Sequence, residues 1–263
     1  MLHQLKVHLQ DIRSFGPVVL ERMLKKPNAS GYTAVKTRFG TFFIRYFETD
    51  MQVLRQILIQ REYDLDRFPQ GEWVRSSYED ALRRGRQPLI IDAGGNAGFA
   101  ARFFARAYPR AQIISVEPDP ANAAICRANV EGLPQVEVVE AAIGSQPGHV
   151  AIEHNDGHAW ATRTCRADAG VSMVTVGELR SRVKDSELLI VKVDIEGFEL
   201  DLFSDATEWI AQTCAVIAEP HDWMLPGAGS SRTLQQAMLP EDREMLISGE
   251  NLIWIKRQGQ PIS

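Results

Sequence analysis

The stretch LIIDAGGNAGF, residues 89–99, combines a short apolar run with a glycine-rich turn. Its first residues have the length and composition of a buried strand. From Ala97 to Tyr108, phenylalanines follow at helical spacing, and this run stops before Pro109. Because glycine lets the backbone turn tightly and approach a ligand closely, the stretch predicts a strand, a ligand-facing turn and a helix.

The rest of the chain continues this alternation of strands and helices. Further strands are predicted at residues 112–118, 136–143, 149–153, 187–197 and 214–220, and helices at 119–130 and 198–203. A hairpin is predicted at 245–257, and Asp50 is a candidate N-cap for a helix that runs to Gln60. Such alternation is typical of right-handed crossovers and a parallel sheet. We expect a Rossmann-like α/β sheet with helices on both faces at residues 87–263, preceded by a small α+β cap at 1–86.

Composition excludes several classes of protein. The chain has 263 residues, 44% of them hydrophobic, which is enough for a sizeable core, and a net charge of -5, which disfavours a nucleic-acid partner. Its three cysteines are far apart and form no CxxC pair, so neither a disulfide framework nor a cysteine zinc site is expected. We see no signal peptide and no apolar run long enough for a membrane span, so a cytoplasmic location is expected.

The glycine turn differs from a dinucleotide fingerprint. A GxGxxG motif starting at Gly94 needs glycines at positions 96 and 99, which are Asn96 and Phe99 here. Glu117, at the end of the second strand, lies at the distance downstream where such folds hold ribose hydroxyls. A nicotinamide-dependent oxidoreductase is therefore disfavoured, although a nucleoside-containing cofactor is expected.

A second motif, KVDIEG at residues 192–197, ends the strand at 187–197. Side chains alternate along a strand, so Lys192, Asp194 and Glu196 are predicted to share one face. Charges inside an apolar strand are costly unless they are paired or functional. We expect Asp194 and Glu196 to reach the ligand crevice at the carboxyl end of the sheet, with Lys192 neutralising one acid; a purely structural ion pair is the alternative.

A third motif, EPHD at residues 219–222, follows the next strand. His221 is the candidate catalytic base, because imidazole can take a proton from a hydroxyl near neutral pH. Asp194 and Glu196 would orient the acceptor. Asp194, Glu219 and His221 also form a possible oxygen and nitrogen site for a divalent ion, but no tight ligand spacing supports one, and no metal is predicted.

Taken together, these motifs resemble the FkbM family of S-adenosylmethionine (SAM)-dependent methyltransferases. The resemblance rests on IIDAGGNAGF (90–99), VEPDP (116–120), KVDIEGFEL (192–200) and the segment from Asp50 to Tyr63. It implies a class I methyltransferase fold, with SAM as cofactor. It also implies cofactor-binding residues: Asp92, Gly94, Asn96 and Gly98 at the methionine part of SAM, and Glu117 at the ribose. Further candidate cofactor-binding residues are Pro118, Ala142 and Asp194, and Glu62 and Tyr63 are expected to close the pocket from the cap.

The function expected on this basis is O-methylation of a hydroxyl on a sugar or secondary metabolite. The partner would be a small-molecule or glycan acceptor. Two alternatives stay open: a non-catalytic SAM-binding or scaffold protein, and the less favoured nicotinamide-dependent oxidoreductase.

Overall fold

A computed structural model describes residues 12–16, 31–45, 49–154, 162–224 and 226–257. Its centre is a seven-stranded sheet in the order β12-β13-β11-β10-β3-β4-β5. The strands are β3 (Gln87–Ala93), β4 (Gln112–Val116), β5 (Val136–Val139), β10 (Ser186–Val193), β11 (Ala215–Ala218), β12 (Arg243–Ser248) and β13 (Asn251–Lys256). The remaining strands, β1, β2 and β6 to β9, belong to two smaller sheets described below.

The direction of the strands matches the expectation from the sequence. Strands β5, β4, β3, β10 and β11 are parallel, whereas β13 runs antiparallel to both β11 and β12. The chain moves outwards from β3 to β5, crosses back to β10, and then moves to the other edge. This reversal beside β3 creates the switch point at which α/β sheets bind ligands, and the Rossmann-like prediction is confirmed.

Helices cover both faces of this sheet. They are α1 (Asp50–Arg55), α2 (Gly71–Arg83), α3 (Phe99–Ala107), α4 (Pro120–Val130), α5 (Val176–Ser181), α6 (Glu199–Leu202) and α7 (Arg232–Met238). Alternate residues of β3 enter two cores, because Ile90 packs with α2, α3 and α4 whereas Ile91 packs with α5, α6 and α7. Both residues are fully buried, as expected for a strand covered on both sides.

The helix ends follow local sequence signals. Asp119 caps α4 by accepting hydrogen bonds from the backbone N–H groups of Ala121 and Asn122, and Pro120 occupies the first helical position. Thr175 and Glu178 form a capping box at the start of α5. These caps fix where the two helices leave the sheet.

A four-stranded second sheet lies between β5 and β10 in the chain. It has the order β6-β9-β7-β8 and comprises β6 (Ala142–Ile143), β7 (Gly148–His154), β8 (Thr162–Ala167) and β9 (Val171–Val174). The sequence predicted a single strand here, at 149–153. The predicted strand at 136–143 is divided, because the chain leaves β5 after Val139 and resumes in β6 of the other sheet.

The N-terminal region packs against the sheet instead of standing apart. A hairpin of β1 (Tyr32–Thr37) and β2 (Gly40–Arg45) precedes α1, which continues as a π-helical turn at Gln56–Gln60. Helix α2 contacts β3, β10 and β13, and buried residues of β2 and α1 share a core with β3. The domain boundary at residue 86 stays a prediction. None of the helices within the described ranges is both long and apolar enough to cross a membrane.

Candidate active site

A crevice of about 410 Å³ opens where β3, β10 and β11 end. This volume lies within the range of about 300–1,000 Å³ that small-molecule sites occupy. Many of the residues proposed from the sequence line it: Glu62, Tyr63, Gly94, Asn96, Lys192, Asp194, Glu196 and His221. Glu219 lines it as well. The three motifs therefore meet at one place, as the carboxyl ends of parallel strands allow.

The turn after β3 is held tightly against the turn after β10. Gly94 has a φ of +83°, and a Cβ there would lie 1.7 Å from the carbonyl oxygen of Asp194. The N–H groups of Gly94 and Gly95 both donate to the carbonyl oxygen of Val116. Only glycine fits this combination of left-handed backbone and close approach, so Gly94 allows the two turns to pack directly against each other.

Lys192 and Asp92 form a buried ion pair beneath this turn. The Lys192 Nζ lies 3.1 Å from an Asp92 carboxylate oxygen and donates to the carbonyl oxygen of Gly94 at 2.8 Å. Ser115 donates its hydroxyl to Asp92 at 2.9 Å. Asp92 is fully buried and Lys192 nearly so, and Asp92 does not line the crevice. The observed contacts of Asp92 thus support the turn from below.

Four other proposed cofactor residues do not line the crevice: Gly98, Glu117, Pro118 and Ala142. The Glu117 carboxylate accepts the Asn96 backbone N–H at 2.7 Å and the Asp119 backbone N–H at 3.0 Å. Burial raises its pKa, although these hydrogen bonds lower it. Glu117 thereby connects the glycine turn to the start of α4, and its role at a ribose stays a prediction.

Asp194 and Glu196 reach the crevice from a turn. Strand β10 ends at Val193, so the alternation predicted for Lys192, Asp194 and Glu196 does not extend through the motif. Glu196 has a φ of +56°, in the left-handed region. Such a conformation is uncommon for a residue with a side chain and brings the Glu196 carboxylate to the crevice wall.

His221 is held by Glu199, a residue that sequence reasoning did not single out. The His221 Nδ1–H donates to Oε1 of Glu199 at 2.9 Å, and both side chains are buried. His221 Nε2 lies 3.6 Å from Asp194 Oδ1 and 3.7 Å from Glu219 Oε1. The pair resembles the carboxylate–histidine arrangement in which an acid orients a base.

The pKa of His221 reflects these neighbours. Burial alone lowers the pKa of an imidazole, but the hydrogen bond to Glu199 and the charges of Glu199, Asp194 and Glu219 raise the pKa of His221 to about 9. The proton-accepting form is therefore a minority at neutral pH in the ligand-free crevice. A bound cation would lower this pKa by adding positive charge near the ring.

The crevice is rich in carboxylates. Burial and the nearby Asp194 raise the pKa of Glu196 to about 7 and that of Glu219 to about 8. Burial and Glu250 raise the pKa of Glu62 to about 7. Such a lining favours a ligand that carries positive charge.

Asp194, Glu219 and His221 also have the composition of a metal site. One ligand atom from each lies within 4.8 Å of the other two. Carboxylate oxygens and an imidazole nitrogen suit several divalent ions, and the contact from Glu199 to the other ring nitrogen is common around metal-bound histidines. The same three residues also suit proton transfer, and the effect of a chelator on activity distinguishes this role from metal binding.

Arg45 is another residue that the sequence did not reveal. Its guanidinium donates to Asp50 at 2.7 Å and to the Asn96 side chain at 3.1 Å. Asp50 was the predicted N-cap of α1, but it is the first residue of the helix and Thr49 occupies the capping position. Its carboxylate binds Arg45 instead. Because these contacts span three separate segments, no local pattern could have indicated them.

Sequence comparisons relate this chain to methyltransferases. The sequence model of the methyltransferase FkbM domain matches residues 92–227. A 2-O-methyltransferase, NoeI of Sinorhizobium fredii, is 26% identical over 155 residues, which are 51% of this chain and 64% of that protein. The chain thus matches less than two thirds of the length of this relative.

Two examples of solved structures that are similar to this chain are methyltransferases. Precorrin-6y C5,15-methyltransferase from Geobacter metallireducens has a TM-score of 0.38 and 12% identity, with 70% of this chain and 87% of that chain covered. A methyltransferase from Geobacter sulfurreducens has a TM-score of 0.38 and 16% identity, with 70% and 78% covered. The family match begins at Asp92, near the end of β3, and includes the glycine turn, KVDIEG and EPHD. The chain belongs to the FkbM methyltransferase domain family.

Proposed function

We propose that this protein is a SAM-dependent O-methyltransferase acting on a hydroxyl of a sugar or secondary metabolite. The observation that carries this proposal is the position of the buried Glu199–His221 pair. It faces the same crevice as the glycine turn at Gly94. A base able to take a hydroxyl proton therefore lies beside the place where the family binds its cofactor.

The crevice suits SAM in shape and charge. SAM carries a sulfonium and an amino group, and when bound it supplies an activated methyl group. Gly94 and Gly95 line the crevice without side chains of their own, while the carboxylates of Asp194 and Glu196 would face the positive charges of SAM. Glu62 and Tyr63 line the crevice from the N-terminal region, where they would enclose the cofactor.

The chain's own residues supply positioning and proton transfer. The reacting hydroxyl would give its proton to Nε2 of His221, and its oxygen would bond to the methyl carbon as the bond from that carbon to the cofactor sulfur breaks. Glu199 holds the Nδ1–H and stabilises the imidazolium that results. The carboxylates of Asp194 and Glu219, within 3.7 Å of Nε2, would accept hydrogen bonds from neighbouring hydroxyls of the acceptor and so hold the reacting oxygen in line.

The mouth of the crevice supports a sugar-like acceptor. Trp223 lines the crevice with 59% of its surface exposed, and an exposed indole offers an apolar face beside polar groups. The C–H face of a sugar ring packs on such a surface while its hydroxyls reach the carboxylates. The related NoeI is a 2-O-methyltransferase by name, which also supports a hydroxyl acceptor.

Calorimetry with S-adenosylhomocysteine, SAM and NAD tests the cofactor first. We expect micromolar binding of the two SAM-type ligands and none of NAD, with binding retained in Asp168→Ala, which changes an exposed acid outside the crevice. Methyl transfer to a panel of sugars and hydroxylated metabolites then tests turnover. Well-folded protein that binds neither SAM-type ligand would overturn the proposal, and binding without turnover on any acceptor would favour the scaffold alternative.

A further inference from the structure

A second cavity, of about 570 Å³, lies beside the crevice. We call it the arginine-rimmed pocket, after Arg38, Arg61, Arg102 and Arg106 in its lining. Ile57 and Phe99 line both this pocket and the crevice. Ile57 belongs to the π-helical turn after α1, a rare conformation that often occurs at functional sites.

The walls of this pocket are apolar. Phe39, Phe42, Phe103 and Leu133 contribute to them. Phe42 is buried, but the other three side chains are only partly covered. Contact between such apolar surface and water is unfavourable, so an apolar group that entered the pocket would be stabilised.

The charges around these walls are almost all positive. Asp64 is the acid among the lining residues, and Arg61 is hydrogen-bonded to it at 2.7 Å. Arg38 and Arg106 instead lie 4.7 Å and 5.9 Å from the centre of the Phe39 ring. Among the residues that the structure describes, no carboxylate forms an ion pair with Arg38 or Arg106.

Arg102 is the most enclosed of these cations. Its guanidinium lies 4.3 Å from the centre of the Phe42 ring and donates to the carbonyl oxygen of Thr41 at 2.6 Å. Burial lowers its pKa, and within the described ranges it has no carboxylate partner. A partly buried charge without a counter-charge is costly, so an anion beside it would be stabilising.

We propose that the arginine-rimmed pocket binds a small anionic amphiphile. The ligand would be a single molecule with an apolar chain and a carboxylate or phosphate head. Its chain would occupy the space between Phe42, Phe103 and Leu133, and its head would lie among Arg38, Arg102 and Arg106. Arginine suits both head groups, because its planar fork of donors matches their oxygens.

This site is separate from the methyl-transfer crevice. Among the residues that the structure describes, only Ile57 and Phe99 are common to the two cavities, and none of the crevice carboxylates lines the arginine-rimmed pocket. An amphiphile bound there would leave the cofactor site accessible. Binding at the arginine-rimmed pocket is therefore independent of the proposed function. A competition experiment between the amphiphile and S-adenosylhomocysteine distinguishes binding in the pocket from binding in the crevice.

Calorimetry with decyl phosphate and decanoate, both below their micellar concentrations, tests the site. We expect saturable one-to-one binding of both anions and at least tenfold weaker binding of decanol and of decyltrimethylammonium. The variant Arg38→Glu/Arg106→Glu should weaken binding of decyl phosphate at least tenfold. Arg110→Glu/Arg232→Glu, which changes two exposed arginines outside the pocket, should bind like the wild type.

Three results would overturn the proposal. The first is no binding of either anion by well-folded protein, and the second is equal binding of the cationic amphiphile. The third is displacement of decyl phosphate by S-adenosylhomocysteine, which would place the amphiphile in the crevice. Binding to anionic lipid vesicles without binding of the monomeric amphiphiles would identify a membrane-surface contact instead and would also contradict a single-molecule site.

Discussion

The Nδ1 atom of His221 lies 2.9 Å from Oε1 of the fully buried Glu199. The same carboxylate oxygen accepts the backbone N–H of Ile195 at 3.2 Å, so Glu199 joins the turn after β10 to the loop after β11. Nδ1 is thereby committed to a proton donor role. Nε2 remains as the ring nitrogen directed at Asp194 and Glu219, where an acceptor would lose its proton.

Replacing His221 by alanine should lower kcat without removing the cofactor site. We expect a loss of about 10²- to 10⁴-fold, the usual contribution of a positioned general base, and a change of less than about threefold in the Kd for S-adenosylhomocysteine. Rapid-quench or steady-state assays and calorimetry measure the two quantities. The matched control is His149→Ala, which changes an exposed histidine of β7 outside the crevice. Unchanged turnover in His221→Ala would show that His221 is not the base.

Activity should rise with pH. His221 must be neutral to accept a proton, and its pKa is raised to about 9. The imidazolium therefore predominates below that value, and log kcat/KM should increase towards pH 9 with a slope near one. For kcat the rise should occur at lower pH, because the positive charge of bound SAM lowers the pKa of the ring.

The variant Glu199→Gln separates positioning from charge in this profile. The glutamine side-chain oxygen can still accept the Nδ1–H, but the negative charge that raises the pKa of His221 is gone. The rise in kcat/KM should shift to lower pH by one unit or more, with a lower maximum. A reduced maximum at an unchanged pH midpoint would mean that Glu199 acts only as a structural support.

Removal of divalent metal distinguishes the two chemistries open to Asp194, Glu219 and His221. If His221 is the base, kcat should stay within about twofold after dialysis against excess EDTA. The melting temperature should likewise be unchanged by added Mg²⁺ or Mn²⁺, because a ligand stabilises a protein only if it binds the native state. Loss of activity that is restored by one of these ions would instead assign the cluster to a metal.

Breaking the Lys192–Asp92 pair should destabilise the fold. Lys192→Met leaves the fully buried Asp92 without its counter-charge, a change that typically costs about 3–5 kcal/mol. The double variant Asp92→Asn/Lys192→Met removes both charges and should recover most of that loss, as measured by urea unfolding. If the double variant is as unstable as Lys192→Met, the hydrogen bond from Lys192 to Gly94 matters more than the charge pair.

The parts of this fold that the sequence predicted are those with local signals. The apolar run of β3, the glycines that follow it, and the aspartate–proline start of α4 each specify a conformation over a few residues. Their order along the chain then implies a parallel sheet. Because the ends of neighbouring strands meet in such a sheet, the sequence alone predicted that His221 and Asp194 lie close together.

What the sequence could not predict depends on contacts between distant segments. Glu199 is one of several acids in the run around α6, and only the fold brings it to His221. The four-stranded second sheet has short strands joined by polar residues, so no hydrophobic period marks it. The Glu117 carboxylate likewise accepts the backbone N–H of Asn96, a contact that the fold creates between two strand ends, and its role at a ribose stays a prediction.

The raised pKa values in the crevice determine how the stability of the cofactor-free protein depends on pH. Burial raises the pKa of Glu62 and of Glu196 from 4.5 to about 7, and the pKa of His221 is raised from 6.5 to about 9. Between about pH 5 and 9 the native protein therefore binds more protons than the unfolded chain. The free energy of unfolding must fall as pH rises through this window, so Tm should be lower at pH 8.5 than at pH 5.5.

The variant Glu196→Gln should flatten this dependence, because it removes one of the groups that take up a proton on folding. Thermal unfolding of cofactor-free protein at several pH values measures the slope, with Glu131→Gln, an exposed acid after α4, as the matched control. A Tm that stays level or rises between pH 5.5 and 8.5 in the wild type would show that these carboxylates are better solvated or better paired than the crevice geometry implies. In that case the crevice would also attract a cationic ligand less strongly, because the pH dependence and this attraction both depend on the same uncompensated negative charge.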